Sequence, residues 1–418
     1  MSELVSAKAV KKKLVVLTFV GWYLPGFRAG GPIRSIANMI DQLGDDFDFR
    51  IITSDRDLGD LESYQSIKVD AWNQVGKALV FYASPEKRSL LNIAKLMRTT
   101  KHDVLYLNSF FNTIFTVKPL LARRFGLAPK TAIVVAPRGE LSYGALKLKY
   151  WKKLPFLQLA HRVGLFDGVN WHASTDFEAS DIMKVIGVDS FFIKTACDLA
   201  CDISIKINAK EINFPVLSSA ENSTQPPTLR ICFLSRIAPM KNLDFALKVL
   251  AQVKFPVLFH IYGPKESRDY WAECELLIAQ LPLNVHAIYG GSVANSQVCS
   301  VISSYDLFFV PSRGENFGHV FIEALSAGVP ILISDCTPWR DLQNQKLGWD
   351  ISLKRPEEFV RALEAAAGFD DVTREEMKAC CIAYALQKSQ DTEALNRNRN
   401  IFIDAVSLTK RFNDILKI

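Results

Sequence analysis

Short apolar runs alternate with amphipathic stretches along this chain, and the alternation starts twice. In the first half the runs are "LVVLTFV", "FRIITS", "ALVFYAS", "DVLYLNS", "TAIVVAP" and "GVNWHAS". In the second they are "RICFLSR", "VLFHIYG", "VHAIYGG", "LFFVPS" and "VPILIS". They are rich in Val, Ile and Phe and bounded by Gly, Pro, Asp or Ser, as strands are. Near-continuous apolar strands separated by helical patterns predict parallel sheets covered on both faces. The helical patterns carry their own punctuation. "PIRSIANMIDQLG" opens with Pro32 in its first turn and closes on Gly44. "STDFEASDIMKVIG" starts as a capping box, with Thr175 as N-cap and Glu178 three residues on. The reading is α/β: two tandem Rossmann-like, doubly wound domains facing across a cleft.

Length agrees with that division, since 418 residues exceed one ordinary core and predict two domains of about 200 each. "NAKEINFPVLSSAENSTQPPTLR" is polar, has three prolines and follows no period. We place the first domain at 1–207, a linker at 208–228 and the second domain at 229–391. A last helical stretch, 392–418, is expected to cross back to the first domain. The eight cysteines all lie from Cys197 onward and form no C-x-x-C unit, which predicts reduced thiols in a cytoplasmic protein. "CDLAC" has no Cys/His pair at finger spacing behind it, so no metal site is expected there. The basic, apolar start "KAVKKKLVVLTFVGWYLPGF" resembles a signal peptide but lacks a small-x-small cleavage site, and we read it as a first core strand. No other run reaches the ~18–20 apolar residues that span a bilayer. The net charge of +6 is uneven, with 29 basic and 20 acidic residues up to Lys210 and 21 and 24 beyond. A basic first half suits an anionic surface or partner, and no nucleic-acid-binding motif accompanies it.

The chemistry concentrates in "RGENFGHVFIEALSAGVPILIS", Arg313 to Ser334. "LFFVPS" is a strand, so "RGEN" lies in the loop at its carboxyl end. "FGHVFIEALSAG" has a helical period and stops at Gly328. Phe317, Gly318, His319 and Val320 are thus expected to offer free N–H groups at a helix N-terminus, an anion site, with Gly318 allowing close approach. Glu315 and Glu323 flank that start. Carboxylates are pure acceptors, suited to paired hydroxyls and not to phosphate. A phosphate between two polyols is what a sugar nucleotide presents. Arg236 and Lys241, five residues apart after the strand "RICFLS", suit a diphosphate. Gly30 and Gly31, in the loop after the first strand, lead into a helix whose N-terminus is expected at the same diphosphate. They do not form G-x-G-x-x-G, so a dinucleotide is not expected.

"SRIAPMKNLDFAL", "VHAIYGGSV" and "YDLFFVPSRGENFGHVFIEALSAGVPILIS" resemble the retaining glycosyltransferases of family 4, which have the GT-B fold. Their E-x(7)-E motif corresponds to Glu315 and Glu323. "YLPGFRAGGPIRSIANM", "TSDRDLGD", "APRGELSYGALKLKYWKK", "WHASTDFE" and "CTPWRDL" resemble a subgroup that builds bacterial cell-surface polysaccharides such as O-antigen. The resemblance implies that Glu323 binds the ribose hydroxyls of a UDP or GDP sugar and Glu315 the donor sugar. Arg236 and Lys241 would neutralise the diphosphate, while Gly263 and Val293 would line the base pocket. Gly30 and Gly31 would face the diphosphate, and a glycan or polyprenyl-linked glycan acceptor would enter over the first domain. The chain departs from the family in four places, one of them "IKTACDLACD", which lacks the usual Asn-Gly turn before the linker. Asn316 stands where many relatives have glycine, and His319 where an aliphatic residue is common. Arg138 and Glu140, in "PRGELS", stand in the loop where many relatives carry a histidine.

In that reading the leaving diphosphate takes the acceptor's proton and no protein nucleophile is needed. Arg236, Lys241, Glu315 and Arg138 are the candidate catalytic residues, with no cofactor and no metal. Asp55-Arg56-Asp57 is a D-x-D that taken alone favours a metal, but the cations of the second domain already supply the charge. "ALKLKYWKKLPFLQLAHRVGLF" interleaves Lys147, Lys149, Lys152, Lys153 and Arg162 with Tyr150, Trp151 and Phe156. That pattern fits two readings: peripheral attachment to an anionic membrane at its inner face, or a core helix with a solvated basic face. A sugar-nucleotide epimerase and a non-catalytic sugar-nucleotide-binding protein are the alternative functions.

Overall fold

A computed structural model of the chain describes residues 12–147, 150–201 and 228–415, with side chains to Arg411. Two compact units emerge. One holds the described residues up to Pro25, Met39–Cys197 and those from Glu393. The other holds Gly26–Asn38 and Asp198–Thr392. The expected linker, 208–228, lies outside the described residues except for Thr228. A boundary at 207 alone would put residues 26–38 with the first domain, whereas their contacts group them with the second unit.

The first unit is built on eight strands: β1 (Leu14–Val20), β2 (Phe47–Ser54), β3 (Trp72–Val75), β4 (Ala78–Ala83), β5 (Val104–Asn108), β6 (Ala132–Ala136), β7 (Asn170–Ala173) and β8 (Ile193–Thr195). Their order is β3-β4-β2-β1-β5-β6-β7-β8. Every neighbouring pair is parallel except β3 with β4. β1 lies between β2 and β5, with Leu14 opposite Phe47 and Val16 opposite Val104. Val16, Leu17 and Phe19 on it are fully buried, so "LVVLTFV" is a core strand.

The helix Asp176–Ile186 shows how its start is built. Thr175 Oγ1 accepts from the Glu178 N–H (3.1 Å). The expected reciprocal bond does not return to Thr175. The Glu178 carboxylate accepts instead from the N–H groups of Ser174 (2.7 Å) and Gly139 (2.6 Å), tying this helix to the loop after β6.

The last helix, Thr392–Ile415, contributes its residues from Glu393 to the first unit. Phe402 sits edge-on to Phe47, Phe49 and Tyr106, with ring centroids 5.2, 5.9 and 5.5 Å away. Asn398 Nδ2 donates to the Cys197 carbonyl (2.9 Å), and Arg399 pairs with Asp46 (2.7 Å). The Arg399 pair is part-exposed and weak, so the buried Phe402 ring carries most of the docking energy.

The second unit has six parallel strands: β9 (Leu229–Leu234), β10 (Val257–Tyr262), β11 (Val285–Gly291), β12 (Leu307–Val310), β13 (Ile331–Ser334) and β14 (Gly348–Ile351). Their order is β11-β10-β9-β12-β13-β14. This is the 3-2-1-4-5-6 order of a doubly wound nucleotide-binding sheet. Ile231, Phe233, Phe259, Phe308, Phe309 and Ile331 fill its core. Cys232, Cys274 and Cys381 are buried thiols.

Phe402→Ala should destabilise the first unit by about 3 kcal/mol, the usual cost of emptying a buried phenylalanine site. Urea unfolding followed by circular dichroism measures it. An unchanged midpoint would mean that the helix docks through its polar pairs.

Candidate functional site

β10 and β12 flank β9, so the chain winds first to one side of β9 and then to the other. At such a switch point the loops leaving two neighbouring strands diverge and open a crevice beyond their carboxyl ends. The loop after β9 carries Arg236 and a one-turn helix, Pro239–Lys241. The loop after β12 carries Arg313 and Glu315. Asn242 knits the two together. It is buried with φ +63°, a conformation that asparagine tolerates better than most residues. Its Nδ2 donates to the Pro311 carbonyl (3.0 Å), and its Oδ1 accepts from Arg313 Nε (2.8 Å). Across the same crevice Lys241 Nζ is ion-paired with Glu315 Oε2.

The helix that follows spans His319–Ser326, starting two residues later than Phe317. Gly318 is its N-cap at φ +82°, and a Cβ there would lie 2.3 Å from Phe321 Cδ2, so the turn requires glycine. The Phe321 N–H returns to the Gly318 carbonyl (2.8 Å), leaving those of His319 and Val320 at the helix start without intrahelical acceptors. The Phe317 carbonyl accepts from Trp339 Nε1 (2.6 Å). Glu323 is buried on this helix, and its Oε1 is 2.5 Å from Arg34 Nη2, with the two side chains 8% and 19% exposed. Beside that pair, Ser35 Oγ donates to Asp198 Oδ2 (2.5 Å) and lies 3.0 Å from His319 Nε2. His319 Nε2 is also 3.5 Å from Asp198 Oδ2.

Gly30 has φ +68°, and a Cβ on it would sit 3.7 Å from Arg236 Nε. Gly31 opens the helix Gly31–Leu43. Arg236 is half exposed and pairs with Glu266 (2.7 Å). Gly263, at φ +134°, passes so close to β9 that a Cβ would lie 1.8 Å from the Ser235 carbonyl oxygen. Its N–H donates to Gly291 O (2.8 Å), and Tyr289 OH donates to its carbonyl (2.9 Å). Val293, two residues past β11, packs partly buried on the core.

Twelve expected residues thus fall in the second unit: Gly30, Gly31, Arg236, Lys241, Gly263, Val293, Glu315, Phe317, Gly318, His319, Val320 and Glu323. Sequence reasoning missed Arg34, Ser35, Asp198 and Asn242. Only Asn242 carried a local signal, an asparagine directly before a helix.

Arg138 lies in the first unit, at φ +55°. Its guanidinium donates to Asn108 Oδ1 (2.7 Å), Ser174 Oγ (3.1 Å) and Tyr106 OH (2.8 Å). It thereby ties together the carboxyl ends of β5, β6 and β7. Glu140 accepts from Ser109 Oγ (2.7 Å) and from the N–H groups of Phe110 (3.1 Å) and Phe111 (2.7 Å). Burial pushes the Glu178 carboxyl above its ordinary value, against its backbone hydrogen bonds. In the D-x-D, Asp55 is buried and held by Arg56 (2.8 Å) and Arg88 (2.6 Å), and Asp57 accepts from the Leu58 N–H (2.8 Å).

The basic-aromatic stretch forms the helices Tyr143–Lys147 and Tyr150–Arg162, the second containing Pro155. Lys149 lies outside the described residues. Trp151 is 72% exposed, and Tyr143, Tyr150 and Leu159 are exposed with it. Lys147 and Lys152 sit over the Tyr143 and Trp151 rings at 4.4 and 4.6 Å. A mostly apolar groove of about 320 Å³ runs beside them, lined by Leu146, Tyr150, Leu154, Leu157, His161 and Val185 among others. No described helix is long and apolar enough to cross a membrane.

Residues 218–378 match the family described as "Glycosyl transferases group 1". Among curated proteins, one from Klebsiella pneumoniae described as an "Uncharacterized 41.2 kDa protein in cps region" is 23% identical over 59% of this chain and 63% of its own. A D-inositol 3-phosphate glycosyltransferase from Jonesia denitrificans is 27% identical over 39% of this chain and 40% of its own. The matches therefore span less than two thirds of these relatives' own lengths. Among solved structures, Anabaena Alr3699/HepE in complex with UDP and glucose superposes with a TM-score of 0.65 at 16% identity. That superposition covers 94% of this chain and all of the other. WaaG, a glycosyltransferase involved in lipopolysaccharide biosynthesis, gives 0.58 at 14% identity over 93% of this chain and 99% of its own. The fold is that of these GT-B glycosyltransferases, two Rossmann-like α/β domains with parallel sheets.

Both Glu178 oxygens accept backbone N–H groups, so Glu178→Gln should cost about 1–3 kcal/mol by leaving one buried donor facing an amide NH₂. The Glu178 pKa is raised in the fold, so its contribution is full below the ordinary value of 4.5 and is lost as pH rises through the raised value. The stability gap between wild type and variant should therefore narrow as pH rises from 4.5, in denaturant titrations run across pH. A gap that widened with pH would contradict the assignment.

Proposed function

We propose that this chain is a retaining glycosyltransferase of family 4. It moves a sugar from a nucleoside-diphosphate sugar to a hydroxyl of a glycan or lipid-linked glycan in bacterial surface-polysaccharide synthesis. The observation that carries this reading is the pairing of Lys241 with Glu315 at the β9/β12 switch point, beside the start of the helix that bears Glu323. The matched family, the neighbour solved with UDP and glucose, and the relatives named for a cps region and for lipopolysaccharide biosynthesis support it.

Cleavage of the bond between anomeric carbon and phosphate puts negative charge on the leaving diphosphate. Lys241, Arg236 and the N–H groups of His319 and Val320 stabilise that charge in place. The acceptor hydroxyl attacks the oxocarbenium-like sugar on the face the diphosphate leaves, and the departing phosphate takes its proton. Glu315 orients the sugar hydroxyls and Glu323 the ribose. No metal is needed, because Lys241 and Arg236 supply the charge. Arg138 shapes the acceptor side through the loops it ties together. The enzyme works in the cytoplasm, at the inner face of the membrane, on acceptors held there.

Two experiments test this. Glu323→Ala should weaken nucleoside-diphosphate binding in calorimetry, while Glu315→Ala should mainly lower turnover, by about a hundredfold or on the order of 3 kcal/mol of barrier. Turnover should survive excess EDTA. Wild-type affinity and activity in both variants would remove the site assignment, and loss in EDTA restored by manganese would remove the metal-free mechanism. Vesicles tests the surface reading. Co-sedimentation should rise with anionic lipid, fall with salt and weaken in Trp151→Ala/Lys152→Ala, and indifference to lipid charge and salt would contradict it.

A further inference from the structure

We propose that Arg34 is a donor-exchanged latch: it pairs with the Glu323 carboxylate and gives that pair up for the diphosphate when a nucleotide binds. The inference rests on Glu323 as the ribose ligand. Arg34 Nη2 lies 2.5 Å from Glu323 Oε1 and donates also to the Asn295 carbonyl (3.3 Å). With Arg34 in place the Glu323 side chain is 8% exposed, which leaves almost no carboxylate surface for a sugar. A vicinal diol donates two O–H groups, one to each carboxylate oxygen, so a ribose seated on Glu323 meets Arg34 on Oε1.

A displaced guanidinium cannot stay in a part-buried place without a new anion. The arrangement supplies one. Arg34 stands one turn into the helix that Gly31 opens, a rise of about 5 Å, well within an arginine's reach. The preceding residue, Gly30, faces Arg236, so the helix start abuts the cation assigned to the diphosphate. Arg34 thus opposes the ribose and favours the phosphates. A bare nucleoside must break the Arg34–Glu323 pair with nothing to replace it, whereas a nucleoside diphosphate exchanges one charge-assisted contact for another.

The two ligands therefore separate a latch from a structural prop. Uridine, guanosine and adenosine and their diphosphates are titrated by calorimetry and NMR into wild type, Arg34→Ala, Arg34→Gln and Glu323→Ala. Arg34→Ala should bind the recognised nucleoside about fivefold more tightly than wild type, as expected for removal of one competing ion pair. It should bind the diphosphate at least about tenfold more weakly, as expected for loss of a charge-assisted contact. Arg34→Gln, which keeps most of the side-chain bulk, should change both affinities in the same directions and guards against loss of fold. Weaker binding of both ligands, or no change in either, overturns the latch. Wild-type nucleoside affinity in Glu323→Ala overturns the ribose assignment itself, and the latch with it.

Discussion

A parallel sheet that grows first to one side of a strand and then to the other must send two adjacent loops apart, and the rest of the second unit follows from that constraint. β9 is the strand where the direction reverses. The loops leaving β9 and β12 have no sheet neighbour beyond their ends, so their backbone must be organised by side chains. Asn242 does this with both ends of its amide. The crevice it braces places Lys241 on one wall and Glu315 on the other, next to a helix start that only a glycine at 318 can form.

The two units use their carboxylates differently. In the first, Glu140 and Glu178 accept from backbone N–H groups fixed by the fold, and Asp55 is held by two arginines. Glu140 and Glu178 cannot change partners without rebuilding loops. In the second, Glu315 is met by the end of a lysine and Glu323 by the end of an arginine, both on flexible stems. Side-chain partners can swing away at the cost of one ion pair. Exchangeable partners are what a site for hydroxyls and phosphates requires, and Glu315 and Glu323 have them, which supports the proposed donor site in the second unit.

Strands buried on both faces announce themselves as apolar runs, which is why all eleven predicted ones are present. β3, β8 and β14 escaped because they are three or four residues long, and "WNQV", "IKT" and "GWDI" carry polar residues. The helix punctuation was legible too. Gly44 follows Leu43, and Thr175 caps Asp176–Ile186. The partner of the Glu178 side chain was not, because Gly139 is 39 residues away in the chain. The candidate site shows the same divide. Arg236, Lys241, Glu315 and Glu323 stand at strand ends and helix starts that sequence can locate. Arg34 and Asp198 meet Glu323 and His319 only after folding, from 289 residues away in the case of Arg34, and nothing in "GGPIRS" or "CDLAC" marks them.

The central claim is that the nucleotide sits at the β9/β12 crevice, and a structure of the protein crystallised with a nucleoside diphosphate tests it most directly. The account predicts the diphosphate between Lys241, Arg236 and the N–H groups of His319 and Val320, with the ribose on Glu323. A nucleotide bound in the first unit, with its diphosphate at Asp55 and Asp57, would contradict it.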